Sequence, residues 1–297
     1  MKDGYYISSF VVAGELASAM DVKLRHDQTI ALWKKTDDSV ELVRYWELER
    51  FSGWKQHTFT FATKKQIMDV VSYLLTTVGL TLADIQEIWG SPIIDTVSDY
   101  HSIDIYPDIT YHSICHLYTS LLFDSKIAKE QEMLILALDS GPEPLVQFDA
   151  YHKKYYAGAY IKDGLVSIFP IHSPGKIWSN SKKRFNMREG SLMALASACE
   201  AHCEIDYDAD VNLFDETALD QALNYLDGLG RHLDKWGYTC DQRFSDKENY
   251  TSAFMKQIDL KSRQILSEEI DRAVLRFNID CSKVILGLAG GFALNCP

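Results

Sequence analysis

Three short runs open the chain, each with the alternation and composition of a β-strand: YYISSFVV from Tyr5, HDQTIALWKK from His26 and DSVELVRYWELE from Asp38. Polar turns separate them. The period then changes. In KKQIMDVVSYLLTTVGL the residues Ile67, Val70, Val71, Leu74 and Leu75 share one face of a helix. DIQEIWGS, after it, reads as a further strand. The order then repeats. EMLILALDSG is a continuous apolar run ending in Asp139, Ser140 and Gly141, which predicts a buried strand. PLVQFDAYHKK, YYAGAYIKDG and LVSIFPIHS follow as a meander, with a hairpin turn at Lys162 to Gly164. Helices are predicted around EGSLMALASACEAH, around ETALDQALNYLDGLGRHLDKWG and from about Tyr250 to Phe277. The last run, Val284 to Leu288, is a strand that meets Gly290 and Gly291 at once and is expected to turn into a helix N-terminus.

Strands, helix, strand, and then strands, helices, strand, is the order of an α/β protein built from two similar halves, drawn here at 1–125 and 126–297. Ligands in such sheets sit outside the carboxyl ends of strands. That singles out His26–Asp27, Asp139–Gly141 and Gly287–Gly291.

Composition narrows the partners. The 297 residues are 46% hydrophobic and 24% charged, as in an ordinary globular protein, and the formal charge is −12. An acidic chain argues against a nucleic-acid partner. No apolar run reaches membrane-spanning length. Six cysteines form no CxxC pair, and Cys199 and Cys203 read as buried thiols, so a reduced, cytoplasmic protein is expected.

Four patterns could carry chemistry. In TYHSICHLYTS, His112 and His116 are four apart and share a helical face; two neutral imidazoles are good ligands for a divalent metal, and two exposed histidines are the plain alternative. The absence of Glu at position 113 removes the zinc-protease base. Asp139, Ser140 and Gly141 at a strand end can hold a metal or a phosphate, or form an ordinary turn. In GLAGGFALN, with Gly287, Gly290, Gly291 and Asn295, the glycines suit an anion or nucleotide at a helix start, or simply close packing. In REGSLMALA, Glu189 opens a helix, where a carboxylate favours the N-terminus.

Taken in order, these segments resemble the O-carbamoyltransferases of nodulation and antibiotic tailoring. LAGGFALNC is similar to that family's LAGGVALNC signature, and HSICHLYTSLLFDS to its HxxxHA segment. LILALDSG resembles VLDGxGE, EGSLMALAS resembles EGKVMGLA, RYWELERFSGWKQH resembles EEERFSRxKH, and RHDQTIALW resembles HDSSAAL. The likeness runs from about residue 22 to the last residue.

The resemblance implies a duplicated fold of the actin, Hsp70 and sugar-kinase type (ribonuclease H-like), with mixed sheets, related to the tRNA threonylcarbamoylation protein. It implies ATP and a divalent metal, Fe(II) foremost, with His112 and His116 as metal ligands and catalytic residues. Asp139, Ser140 and Gly141 correspond to the second-half phosphate loop, and His26 and Asp27 to that of the first half. Gly287, Gly290, Gly291 and Asn295, with Glu189, correspond to the nucleotide side. The activity implied is formation of carbamoyl-adenylate and transfer of the carbamoyl group to the hydroxyl of a small-molecule acceptor. Carbamoyl phosphate is the donor, handled by a C-terminal domain in cis or as a separate subunit. A homodimer is left open.

Departures accompany the likeness. Ser191 stands where the family has Lys, Ser140 where Gly is usual and Gly53 where a basic residue is common. The family's further Asp ligand and its carbamoyl-phosphate domain lie beyond the signature at which this sequence stops, so the fold is expected to be truncated at its C-terminal end. The alternative is a non-catalytic nucleotide-binding or regulatory module of the same fold.

Overall fold

The computed structural model describes residues 1–23, 25–90, 108–123, 125–139, 153, 155–199, 224 and 241–294. They fall into two compact units, Met1–Ser102 and Ile103–Pro297. The first holds strands β1 (Gly4–Phe10), β2 (Thr29–Thr36), β3 (Ser39–Glu47) and β4 (Ile85–Gly90), with helices α1 (Glu15–Ala19), α2 (Glu49–Ser52) and α3 (Lys64–Thr76). The second holds β5 (Met133–Ala137), β6 (Tyr156–Lys162), β7 (Leu165–Ile171) and β8 (Ile285–Ala289). Its helices are α4 (Tyr111–Phe123), α5 (Ser125–Glu130), α6 (Gly175–Phe185), α7 (Glu189–Ala198) and α8 (Asp246–Phe277).

The two sheets share one plan, β3-β2-β1-β4 and β7-β6-β5-β8. The first strand of each is central: β1 is antiparallel to β2 and parallel to β4, and β5 is antiparallel to β6 and parallel to β8. This is the duplicated mixed-sheet α/β fold. The boundary falls at 102/103 rather than 125/126 because α4, with Ile114, Leu117 and Leu121, packs on Met133, Ile135 and Ala137 of β5.

In the first unit, α3 begins where Thr63 accepts from the Gln66 amide and the Gln66 side chain reaches back to the Thr63 N–H. Its apolar face, Ile67, Val71, Leu74 and Leu75, is buried against Ile7, Ile30, Leu32 and Trp46. Burial of each large aliphatic side chain contributes about 1.5–3 kcal/mol of transfer free energy.

In the second unit, β5 is buried on both faces. Met133, Ile135 and Ala137 meet α4, while Leu134, Leu136 and Leu138 join a cluster with Ala273 and Ile279. The hairpin turn between β6 and β7 has positive φ at Asp163 and Gly164, as a two-residue turn with the right twist requires. The long helix α8 starts earlier than its apolar pattern indicates, because Ser245 and Glu248 cap it reciprocally. Helix α6 is additional to the expected elements. PLVQFDAYHKK, apart from Lys153, and most of ETALDQALNYLDGLGRHLDKWG lie outside the described residues. No helix among the described residues is long and apolar enough to cross a membrane.

Candidate metal centre and adjoining cavities

Side chains alternate along β5, and the alternation continues into the residues after it. Met133, Ile135 and Ala137 point to α4, so Asp139 points to α4 as well. On α4 the buried stripe of Ile114, Leu117 and Leu121 faces the sheet, and His112 and His116 border it one turn apart. The result is a three-residue cluster. Asp139 Oδ2 lies 2.7 Å from His112 Nε2 and 3.0 Å from His116 Nε2, and the two Nε2 atoms are 3.1 Å apart. The imidazoles meet edge to face at 88°. All three side chains are partly exposed, from 17% to 27%, so the cluster is open to a ligand. It is the one group of three or more His, Cys, Asp or Glu with metal-holding geometry among the described residues.

The donor set fits a divalent ion. Metal bonds near 2.1 Å at right angles put neighbouring ligand atoms about 3.0 Å apart, and the three separations here are 2.7, 3.0 and 3.1 Å. Two imidazoles and a carboxylate also suit Fe(II), Mn(II) or Zn(II) and leave coordination positions open. Without an ion, two N–H groups directed at one oxygen would bring like partial charges together.

The end of β8 completes the floor. Gly290 has φ of +97°, and a Cβ there would lie 2.3 Å from the Leu138 carbonyl oxygen, so glycine is required. The close approach lets the Leu138 N–H donate to Ala289 O and the Phe292 N–H donate to Leu138 O. A Cβ on Gly291 would come within 3.2 Å of Asp139 Oδ1. The chain then forms a short 3₁₀ turn, Gly291–Leu294, in place of the helix start expected after the glycine pair. The hydrogen bond from the Phe292 N–H to Leu138 O ties the turn to the end of β5.

A cavity of about 180 Å³ adjoins the cluster, lined by Asp139, Gly175, Trp178, Ser179, Glu189, Gly291 and Phe292. Glu189, at the first turn of α7, is ion-paired with Lys182 of α6, whose hydrogen bond holds the carboxyl below its ordinary pKa. A larger groove of about 580 Å³ opens beside His116, and its lining includes Ile127, Met133, Gly287, Leu288 and Ala293. Burial, and then the charge of Asp139, push the Tyr156 phenol far above its ordinary pKa, so it remains a neutral hydroxyl in the core.

The structure thus brings together His112, His116 and Asp139, with Gly291 and Glu189 lining the smaller cavity and Gly287, Gly290 and Gly291 lining the larger groove. His26 and Asp27 belong to the first unit, where His26 Nδ1 and Asp27 Oδ2 pair at 2.5 Å in solvent. Ser140, Gly141 and Asn295 lie outside the described residues. From the sequence, Asp139 can hold a metal or a phosphate, the family resemblance implies a phosphate loop, and neither pairs it with the histidines. The period-two alternation of β5 was the signal that joins them. Ser173, which the sequence analysis does not single out, also belongs here: its hydroxyl donates to the Asp139 carbonyl oxygen at 2.9 Å.

No protein-family model matches the chain, and no curated protein matches it. Among solved structures, it is similar to the activator of the 2-hydroxyisocaproyl-CoA dehydratase from Clostridium difficile with bound ADPNP. The identity is 10% over 98% of this chain and 81% of that one, with a TM-score of 0.40. It is also similar to the Aquifex aeolicus member of the Ppx/GppA family, at 10% identity over 97% and 95% of the two chains and a TM-score of 0.28. A further structure of the Aquifex aeolicus PPX-GPPA enzyme aligns at 8% identity over 97% of each chain, with a TM-score of 0.31.

Proposed function

We propose that this chain binds a divalent metal at His112, His116 and Asp139 and a nucleotide in the cavity beside them, as the ATP-binding portion of an O-carbamoyltransferase. The observation that carries the reading is the convergence of three donor atoms, all within 4.8 Å of one another, one of which, Asp139, also lines a cavity with Gly291 and Glu189. The resemblance of LAGGFALNC and HSICHLYTS to that family supports the same assignment, residue by residue.

In this reading His112 and His116 act as neutral imidazoles, each giving one ring nitrogen, and Asp139 gives a carboxylate oxygen that offsets part of the ion's charge. A divalent ion held there supplies positive charge to phosphate oxygens. Gly291 lets the backbone approach a nucleotide closely, since it presents no side chain to the cavity it lines. Glu189 can accept hydrogen bonds from ribose hydroxyls, and Lys182, paired with it, keeps it ionised. Trp178 and Phe292 bound the cavity with apolar surface that excludes water from one side of the ligand. Carbamoyl transfer extends the proposal: carbamate attacks the α-phosphorus of ATP with loss of pyrophosphate, and the acceptor hydroxyl then attacks the carbamoyl carbon with loss of AMP.

The test is a calorimetric titration of a non-hydrolysable ATP analogue into the full chain, with and without Mn(II) or Fe(II), and into the H112A/H116A double variant. Metal-dependent binding that is lost in the double variant is expected. Binding that ignores the metal and both substitutions would remove the metal from the account and leave a nucleotide-binding module. No binding in any condition would overturn the reading.

A further inference from the structure

Ser173 stands where β7 gives way to α6, and it is 1% exposed. Its hydroxyl makes two contacts. It donates to the carbonyl oxygen of Asp139 at 2.9 Å and accepts from the Gly175 amide, the first residue of α6, at 3.4 Å. Between them stands Pro174, which has no N–H to compete for either contact.

The residue before Asp139 is held from the other side. The Leu138 N–H donates to Ala289 O at 2.6 Å, and its carbonyl accepts from the Phe292 N–H at 3.0 Å. Leu138 is thus fixed by the glycine turn after β8, and the Asp139 carbonyl is fixed by Ser173. The direction of a Cα–Cβ bond is set by the backbone N, Cα and C atoms around it. Holding the peptide on each side of Asp139 therefore aims its carboxylate at the two imidazoles.

We infer that Ser173 is a positioning residue for the metal centre: its hydrogen bond to the Asp139 main chain sets where Oδ2 stands relative to His112 and His116. This rests on the reading of the cluster as a metal site. Outer-shell partners of ligands typically change metal affinity by about 10–100-fold, and a contact through the ligand's backbone belongs at the lower end.

The experiment uses the full chain, titrated with Mn(II) for affinity and loaded with Co(II) for its visible absorption bands. The variants are Ser173→Ala, Ser173→Thr, Ser173→Cys and His112→Ala. Ser173→Ala is expected to weaken Mn(II) about tenfold and to shift the Co(II) bands, which report ligand geometry. Ser173→Thr, which keeps the hydroxyl, should stay within about twofold of the parent. Where Ser173→Ala fails to fold, Ser173→Cys, a weaker donor of similar size, should show the same displaced Co(II) bands. Unchanged affinity and unchanged bands in a folded Ala or Cys variant would overturn the inference while leaving the metal site standing, with His112→Ala still losing the ion. A parent chain that binds neither ion would overturn both.

Discussion

The two units share a sheet order and end their central strands very differently. After β1 come Val11, Val12 and Ala13, all buried. The Gln28 side chain closes that strand end, accepting from the Val12 N–H and donating to the His57 and Phe59 carbonyls. Arg25 is also buried there, donating to the Val11 carbonyl and lying over the Phe10 ring. After β5 the chain instead places Asp139 beside two histidines and a cavity. One scaffold serves both ends. The difference lies in a few side chains, which is why fold alone does not assign function.

The comparison can be broken first at its glycines. Gly290→Ala places a Cβ on the Leu138 carbonyl at positive φ and should cost about 4 kcal/mol in urea denaturation. Gly53, at the C-terminus of α2, also has positive φ, but nothing lies within 4 Å of its would-be Cβ. Gly53→Ala should cost only about 1 kcal/mol. Equal costs would mean that the close approach at Gly290 is not as drawn.

The cores should behave alike. Leu32→Ala and Leu136→Ala each empty a fully buried position and should each cost about 3 kcal/mol. Only the second should also weaken Mn(II), since it lies on the strand that carries Asp139. Loss of metal affinity in both would remove the contrast between the units.

For the site itself, His112→Ala with His116→Ala should weaken Mn(II) at least about a hundredfold, roughly 2.7 kcal/mol, without a comparable fall in stability.

The smallest effect concerns pH in the first unit. His57 is buried between Phe59 and Phe61, with Nδ1 2.9 Å from Ser52 Oγ. Burial lowers its pKa below the usual 6.5. The folded state therefore favours the neutral ring. This contribution is fully present above about 6.5, the unfolded value, and is lost as pH falls through the lower folded value. His57→Gln should flatten the loss of stability between about pH 7 and pH 5. An unchanged slope would locate that sensitivity elsewhere.

Much of this was legible in the sequence, and the reasons are physical. Ile67, Val71, Leu74 and Leu75 announce α3 because a helix buries one stripe, and the uninterrupted Met133–Ala137 run announces a strand covered on both faces. Helical spacing put His112 and His116 on one face, and the family resemblance singled them out as metal ligands. Asp139 was recognised as a strand-end residue but not as their partner, since joining residues 112 and 139 depends on which face of β5 receives α4. Ser173 gave no signal: a serine after a strand and before a proline reads as a loop, and its contact with Asp139 spans 34 residues. The boundary between units moved for the same reason, because α4 packs on a strand that follows it in the chain.

The central claim is that His112, His116 and Asp139 hold one divalent ion. Anomalous diffraction at the manganese edge, from crystals of the full chain grown with Mn(II), tests it directly. The account predicts one peak about 2.1 Å from both Nε2 atoms and from Asp139 Oδ2. Density without a peak there, with the imidazoles still in contact with Asp139, would contradict it.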